Sequence, residues 1–121
     1  MDVATGQNHS VALDEKGRIW EFGHIYAWKT DNVEDQYKKT PQLVDCGKSV
    51  RFVKINAGMT YSAALCSDGL VWAWMDNSYG QCGVDPEKAK EVKKPNVVSK
   101  GYKAKLFSCG LSHLLFATES D

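Results

Sequence analysis

The sequence predicts an all-β fold, a partial β-propeller built from antiparallel four-stranded blades. Three observations lead to this prediction: an internal repeat, a two-residue alternation of aromatic side chains, and tight turns between the alternating segments. The repeat has a period of 52 residues, and its matched pairs are Gly6 and Gly58, His9 and Tyr61, Ser10 and Ser62, Ala12 and Ala64, Leu13 and Leu65, Gly17 and Gly69, and Trp20 and Trp72.

The period occurs twice along the chain. A second step of 52 residues carries Gly58 onto Gly110 and Tyr61 onto His113. The segment 40–44 resembles the segment 94–98 at a displacement of 54, so a two-residue length difference lies in the intervening loop. We therefore expect one repeat at about residues 3–54, a second at about 55–106 and a partial third at about 107–121.

The aromatic segment of each unit alternates with a period of two. Trp20 and Phe22 alternate with Ile19 and Glu21, and the second unit repeats this pattern, so the aromatic side chains share one face of a strand. A glycine-containing turn precedes each of these strands, as a hairpin with positive φ requires. Further strands are expected at 10–13, 62–66, 50–57, 104–109, 42–45 and 96–99. Four short strands per unit are typical of a propeller blade.

Two long loops are expected at residues 23–40 and 76–94. Loops of this length exceed the usual connection, and we expect them to project from one rim and to carry the contacts of the protein. The segment 86–94 has mild helical character, but it is almost entirely polar, so we interpret it as part of the second loop.

Composition restricts the partners and the compartment. Lys plus Arg equals Asp plus Glu at 15 each, so no net charge attracts nucleic acid or an anionic membrane. The interleaved glutamates make the lysines of the second loop a solvated face. The four cysteines lack the paired spacing of a metal site, and we interpret them as reduced thiols of an intracellular protein, cytoplasmic or nuclear. We expect no metal, no cofactor, no membrane partner and no nucleic acid partner.

The segments 57–65, 68–74 and 77–83 together resemble one whole repeat of the regulator-of-chromosome-condensation family. The segment 6–23 is similar to the same repeat, but the chain departs from the asparagine-x-x-glycine-glutamine pattern at 25–29, and Met75 stands where the first unit has Gly23. The resemblance implies a closed propeller, typically of seven blades, which this chain is too short to complete.

An incomplete propeller has exposed ends. An open arc leaves a blade face and strand edges unpaired, which favours association. We expect the chain to be a fragment of a longer propeller whose missing blades cover these ends. The alternative is self-association, in which three copies close a ring.

The candidate site residues fall into two groups. Departure from the repeat pattern marks the aromatic loop with His24, Tyr26 and Trp28 as a tentative partner-binding site, although packing over the blade edge explains it equally well. Tyr79 of the second loop joins this group. The remaining candidates recur at equivalent positions, which indicates structural roles for Gly6, His9, Gly17, Trp20, Gly58, Tyr61, Gly69, Trp72, Gly110 and His113. We expect no catalytic residue.

The sequence therefore predicts a noncatalytic protein–protein interaction scaffold. The resemblance implies one alternative, guanine-nucleotide exchange on a small GTPase by distortion of the nucleotide site of that partner. It implies another, the propeller of a multidomain ubiquitin ligase or of a cytoskeletal or ciliary regulator. The sequence alone leaves these alternatives open.

Overall fold

A computed structural model describes residues 2–24, 37–46, 49–99, 102–110 and 113–118. Ten β-strands account for most of these residues, and no helix occurs among them. In chain order the strands are β1 (Asp2–Thr5), β2 (His9–Leu13), β3 (Ile19–His24), β4 (Tyr37–Leu43), β5 (Phe52–Ala57), β6 (Tyr61–Cys66), β7 (Val71–Asp76), β8 (Glu91–Val97), β9 (Ala104–Cys109) and β10 (Leu114–Thr118).

The strands form two four-stranded sheets and one two-stranded sheet. Strands β1–β4 form the first sheet, β5–β8 the second and β9–β10 the third, with neighbours in chain order paired antiparallel. The predicted antiparallel four-stranded blades of a partial propeller are thereby confirmed.

The aromatic residues have the predicted register. Trp20 pairs with Ala12 and Phe22 with Ser10, so these four side chains share one face of the first sheet. Trp72 and Trp74 occupy the same register opposite the second strand of the next sheet.

Two strands begin inside the segments predicted to be loops. Strand β4 begins at Tyr37 and strand β8 at Glu91, inside the segments expected to be loops. Among the described strands, each of the two pairs with one neighbour only, at the edge of its sheet, where lysine and proline are tolerated because one side of the strand needs no partner. The strands predicted at 42–45 and 96–99 are therefore found earlier in the chain, because the polar first residues of β4 and β8 lack the alternation pattern.

The same irregularity interrupts the pairing of β3 with β4 and of β7 with β8. The register shifts between Glu21 and Gly23 in the first sheet and between Ala73 and Met75 in the second. Gly23 has a φ of 95° and Met75 a φ of 86°, so both units adopt left-handed backbone at this position. Met75 therefore accepts a conformation that favours glycine.

The first two strands of each four-stranded sheet contact the first strand of the next sheet. Strands β1 and β2 contact β5, and strands β5 and β6 contact β9. The main core lies between the first two sheets, and its buried side chains include Val11, Ile19, Phe52, Trp72 and Trp74. A smaller core of Ala63, Ala73 and Cys82 packs against Phe107, Cys109 and Leu114 of the third sheet.

The connections lie at two opposite ends of the sheets. We call the end with the turns 6–8 and 58–60 and the loop 77–90 the loop end. The hairpin end carries the turns 14–18 and 67–70 and the connections between sheets. At the hairpin end, Phe52 N–H donates to Gly17 O at 2.9 Å and Ala104 N–H donates to Gly69 O at 2.8 Å, so each connection is fixed to the preceding hairpin in the same way.

Candidate protein-binding surface

Three turns at the loop end share one geometry. Each turn glycine donates its N–H to the carbonyl of the residue three positions later, at 2.7–2.9 Å. A Cβ added to the glycine would lie 2.0–2.2 Å from the ring of that later residue, so only glycine leaves room for the ring. The pairs are Gly6 with His9, Gly58 with Tyr61, and Gly110 with His113.

The rings of these turns connect neighbouring sheets. The Tyr61 hydroxyl donates to Gly110 O at 2.9 Å and also contacts His113 O, so the second sheet holds the turn of the third. His9 Nε2 lies 3.0 Å from Ser62 Oγ in the second sheet. Burial lowers the pKa of His9, and a hydrogen bond with the backbone of Tyr61 opposes this shift. His9 is thus a buried residue of the sheet interface.

The hairpin glycines and the tryptophans that follow them occupy equivalent positions in unequal surroundings. Gly17 and Gly69 have φ values of 78° and 90°. Trp72 is buried against the first sheet, edge-on to Phe52 with ring centroids 6.0 Å apart. Trp20 lies on the opposite side of the first sheet and is half-buried, with Arg18 stacked 5.5 Å from its ring centroid.

No part of the chain that the structure describes covers this face of the first sheet, which we call the open face. Its side chains are Val3, Ser10, Ala12, Trp20 and Phe22. Val3 is 62% exposed, whereas its equivalent in the second sheet, Ile55, is 7% exposed. A cavity of about 450 Å³ lies on this face. At the other end of the arc, Leu106 and Leu115 are 62% and 66% exposed.

A buried polar contact between the first two sheets was not predicted from the sequence. Glu21 is buried on the covered face of the first sheet, and its Oε2 accepts a hydrogen bond of 3.0 Å from Trp74 Nε1. A signal was present, because strand alternation places Glu21 on the same face as Ile19. A carboxylate in such a position requires hydrogen-bond partners from another element.

The loop 77–90 is organised by one fully buried side chain. Asn77 Nδ2 donates to Val84 O at 2.8 Å and to Ala89 O at 2.7 Å, and Asn77 Oδ1 accepts from Cys82 N–H at 2.9 Å. Tyr79 N–H donates to Gln81 Oε1 at 2.9 Å. These bonds hold the loop from inside, while the Tyr79 side chain remains 75% exposed.

The neighbouring turn is joined to this loop through an aspartate. Thr60 Oγ1 donates to Asp76 Oδ2 at 2.7 Å, and the hydroxyl of Ser78 donates to Asp76 Oδ1 at 2.6 Å. Burial opposes ionisation of Asp76, but the hydrogen bonds from Ser78 and Thr60 prevail and lower its pKa. We call the exposed side chains of Met59, Ser78 and Tyr79 the loop-end surface.

The other predicted partner-binding residues lie at or beyond the edge of the described chain. Strand β3 ends at His24, at the loop end of the first sheet, and its side chain is outside the described residues. Tyr26 and Trp28 also lie outside them. Their partner-binding role stays a prediction.

The thiols pack as apolar core groups. Burial raises the pKa of Cys82 to about 12 and that of Cys109 to about 11. No disulfide joins any of the four cysteines, all of which lie in the described ranges. Within the described ranges, no cluster of three or more metal-binding side chains occurs, and no helix is long and apolar enough to cross a membrane.

The comparison with known families identifies the repeat. A family model described as the regulator of chromosome condensation (RCC1) repeat matches residues 68–117, which include the Asp68–Gly69 turn and the Asn77 loop. The segment 68–117 is therefore identified as an RCC1-type repeat. The RCC1 match extends through β9 and into β10 of the third sheet.

Alignments with relatives and with solved structures cover nearly the whole chain. Human E3 ubiquitin-protein ligase HERC2 is 28% identical over 121 residues, which cover 98% of this chain and 2% of HERC2. The crystal structure of human WBSCR16 matches with a TM-score of 0.82 at 20% identity, over 99% of this chain and 31% of that one. Prp20p of Saccharomyces cerevisiae matches with a TM-score of 0.74 at 17% identity, over 100% of this chain and 32% of that one. The chain thus spans a small part of its relatives.

Proposed function

We propose that this chain is a noncatalytic interaction scaffold whose loop-end surface binds another protein. The observation that carries the proposal is Tyr79, which is 75% exposed on a loop fixed by the buried Asn77 side chain. A tyrosine provides a large contact area with little side-chain entropy to lose, and it is a frequent anchor of protein interfaces. A loop that is already ordered reduces the cost of binding further.

The surroundings of Tyr79 fit this role. Met59 is 40% exposed on the turn that Thr60 joins to Asp76, so a flexible apolar side chain accompanies the tyrosine. The segment with Tyr26 and Trp28, which the sequence predicts to be a loop, follows His24 in the chain, and we include His24, Tyr26 and Trp28 in the proposed surface. Aromatic residues of two loops would then contact one partner.

Two further candidate functions come from the relatives. Prp20p is described as binding Gsp1p and histones, which supports exchange activity on a small GTPase as the second candidate. HERC2 is named as a ubiquitin ligase, which supports a role as the propeller of a larger ligase. In both cases the RCC1 repeats would contribute a binding surface, and their location would be cytoplasmic or nuclear.

The open face supports a second kind of contact. Its residues are equivalent to residues of the second sheet that are buried against the first, so we infer that a further blade, or another copy of the chain, covers it. Light scattering across a concentration series tests self-association. A monomer at high concentration excludes the second copy, and a trimer supports ring closure.

The scaffold proposal is tested by comparing two exposed tyrosines. A photo-crosslinking amino acid in place of Tyr79 identifies the partner in cells, and affinity is then measured with the purified proteins. Tyr79→Ala should weaken binding at least about tenfold. Tyr102→Ala is the matched control, because Tyr102 is 67% exposed but lies at the hairpin end. Equal affinities of the wild-type chain and the Tyr79→Ala variant would overturn the proposal.

A nucleotide-release assay separates the first two candidates. Labelled guanine nucleotide on a panel of small GTPases should dissociate at its intrinsic rate in the presence of a pure scaffold. Accelerated release by the native protein, lost in the Tyr79→Ala variant, would establish exchange through the loop-end surface instead.

A further inference from the structure

A groove at the hairpin end lies between the first and second sheets. Its volume is about 520 Å³. Buried Ile19 and Phe52 form its apolar base, and Leu43, which is 53% exposed, forms part of one wall. The groove is thus apolar inside and open to solvent at the end opposite to the loop-end surface.

Cationic side chains line the mouth of this groove. Lys16, Arg18 and Arg51 belong to its lining, and Asp45 is the acidic residue among the described lining residues. Asp45 lies 3.5 Å from Lys94 Nζ in an exposed ion pair. Asp14 and Glu15 flank the lining and bring the count to three charges of each sign, but the three cations belong to the lining itself and these two acids do not.

Residues of the 14–18 turn hold both Arg18 and Arg51 in place. Arg18 Nε donates to Asp14 Oδ2 at 2.7 Å, and hydrogen bonds from the Trp20 indole and from Arg18 lower the pKa of Asp14, which keeps it ionised. Arg51 Nη2 donates to Glu15 O at 3.3 Å. The stem of Arg51 crosses Gly17, where an added Cβ would lie 2.4 Å from Arg51 Cγ. Each guanidinium retains donors for a ligand.

The corresponding position between the second and third sheets carries different charges. The period of 52 places Asp68 at the position of Lys16 and Leu70 at the position of Arg18. Lys103 replaces Arg51, and Ser99 takes the place of Asp45 at the displacement of 54. Three cations and one acid therefore become one cation and one acid. The set of three lining cations is a property of the first interface and not of the repeat.

We propose that this groove binds a short acidic segment of a partner protein, with an apolar side chain in the groove and carboxylates on Arg18, Arg51 and Lys16. Planar guanidinium groups match carboxylates in geometry, and arginines that are already oriented lose little entropy on binding. The exposed Leu43 side chain of the groove favours a peptide over a nucleic acid, whose backbone would leave this apolar surface uncovered. The site is separate from the loop-end surface and would give the scaffold a second partner.

The test uses a fluorescein-labelled peptide in which one leucine is flanked on each side by two aspartates. Fluorescence anisotropy with the full chain should show saturable binding that weakens as salt is raised. Arg51→Glu, and the double variant Lys16→Asp with Arg18→Leu, which introduces the residues of the second unit, should each weaken binding at least about tenfold. Lys103→Glu is the matched control and should leave affinity unchanged.

Several outcomes would overturn this proposal. They are absence of binding to the folded chain, equal affinity for a peptide with asparagine in place of aspartate, equal weakening by Lys103→Glu, or tighter binding of a single-stranded oligonucleotide than of the peptide. Replacement of the leucine by alanine should also weaken binding. Tyr79→Ala should have no effect, so failure of this proposal and failure of the loop-end surface are distinguishable.

Discussion

Trp74 and Glu21 form a buried hydrogen bond of 3.0 Å between the first and second sheets. Both side chains are almost fully buried, at 1% and 3% exposure. The equivalent positions hold Phe22 and Ala73, which have no polar side-chain atom, so this bond belongs to one interface and is not repeated along the arc. A buried hydrogen bond of this kind favours packing against the sheet that supplies the partner over packing against another sheet of the same shape.

Trp74→Phe should destabilise the fold by about 2 kcal/mol, because it removes a hydrogen bond to a buried carboxylate. Phenylalanine fits a strand here, since Phe22 occupies the equivalent position. Urea unfolding of Trp74→Phe, Glu21→Ala and the double variant forms a double-mutant cycle. The double variant should cost less than the sum of the single variants, and strict additivity would contradict the coupling.

Gly58→Ala should destabilise the fold by about 3 kcal/mol, because the added Cβ would lie 2.0 Å from Tyr61 Cε1 and displace a ring that bonds the third sheet. Gly80→Ala is the control. Gly80 has positive φ, but its added Cβ would lie 3.7 Å from Pro86 Cδ, an ordinary van der Waals distance, so only backbone strain of about 1 kcal/mol is expected. Thermal unfolding that ranks Gly80→Ala as the costlier change would refute this account.

Met75→Gly should be more stable than Met75→Ala by roughly 1 kcal/mol, which reverses the usual order in a strand. Both variants lose the buried methionine side chain, at a cost of about 2–5 kcal/mol for Met→Ala, but only alanine keeps the strain of a φ of 86°. Ala73→Gly, two residues earlier in the same strand, should destabilise in the ordinary way. Urea unfolding of all three variants is the measurement, and an alanine variant more stable than the glycine variant at position 75 is the contrary result.

Stability should fall as the pH rises above about 9. The pKa of the Cys109 thiol is raised to about 11 and that of Cys82 to about 12, above the ordinary value of 9.0, so the unfolded chain loses these protons first. Between pH 9 and 11 the folded chain binds more protons than the unfolded chain, and the free energy of unfolding decreases with pH.

The contribution of one thiol can be separated. Cys82→Ala should reduce this decrease by at most about 1.4 kcal/mol per pH unit. Urea unfolding from neutral pH to pH 11 measures it in both proteins. The same pH slope with and without the Cys82 thiol would show that its burial does not govern the alkaline decline.

Much of the fold could be predicted because the same alternation and the same turn residues recur in two units of the sequence. Alternation predicted that Trp20 and Phe22, like Trp72 and Trp74, share one face, and the glycine-containing turns predicted the hairpins. The spacing of Gly58 and Tyr61 was visible too, but its reason, a ring lying over the glycine, is a contact in space. A strand was predicted at 96–99, but β8 begins at Glu91, because the lysine-rich first part of this edge strand lacks the alternation on which the prediction depended.

The candidate surfaces were harder to predict. Tyr79 lies in the segment 77–83, which resembles the family repeat, but the sequence did not show that its side chain is exposed. The exposure follows from the fold of the loop, whose carbonyls at Val84 and Ala89 accept hydrogen bonds from the buried Asn77 amide. The groove at Arg51 gave no sequence signal, because its lining comes from segments on two sheets. A charge is informative at such a place only once its neighbours are known.

By itself, the sequence determined the 52-residue period, the aromatic strands and turns within each unit, and the resemblance to RCC1-type repeats. Periodicity and turn chemistry are local properties, because they depend only on residues that are close together in the sequence of one hairpin. Only the tertiary structure decided which face is covered, which carboxylate meets Trp74, and where cations converge. These properties arise from side chains about fifty residues apart, and their distances are set by the stacking of whole sheets.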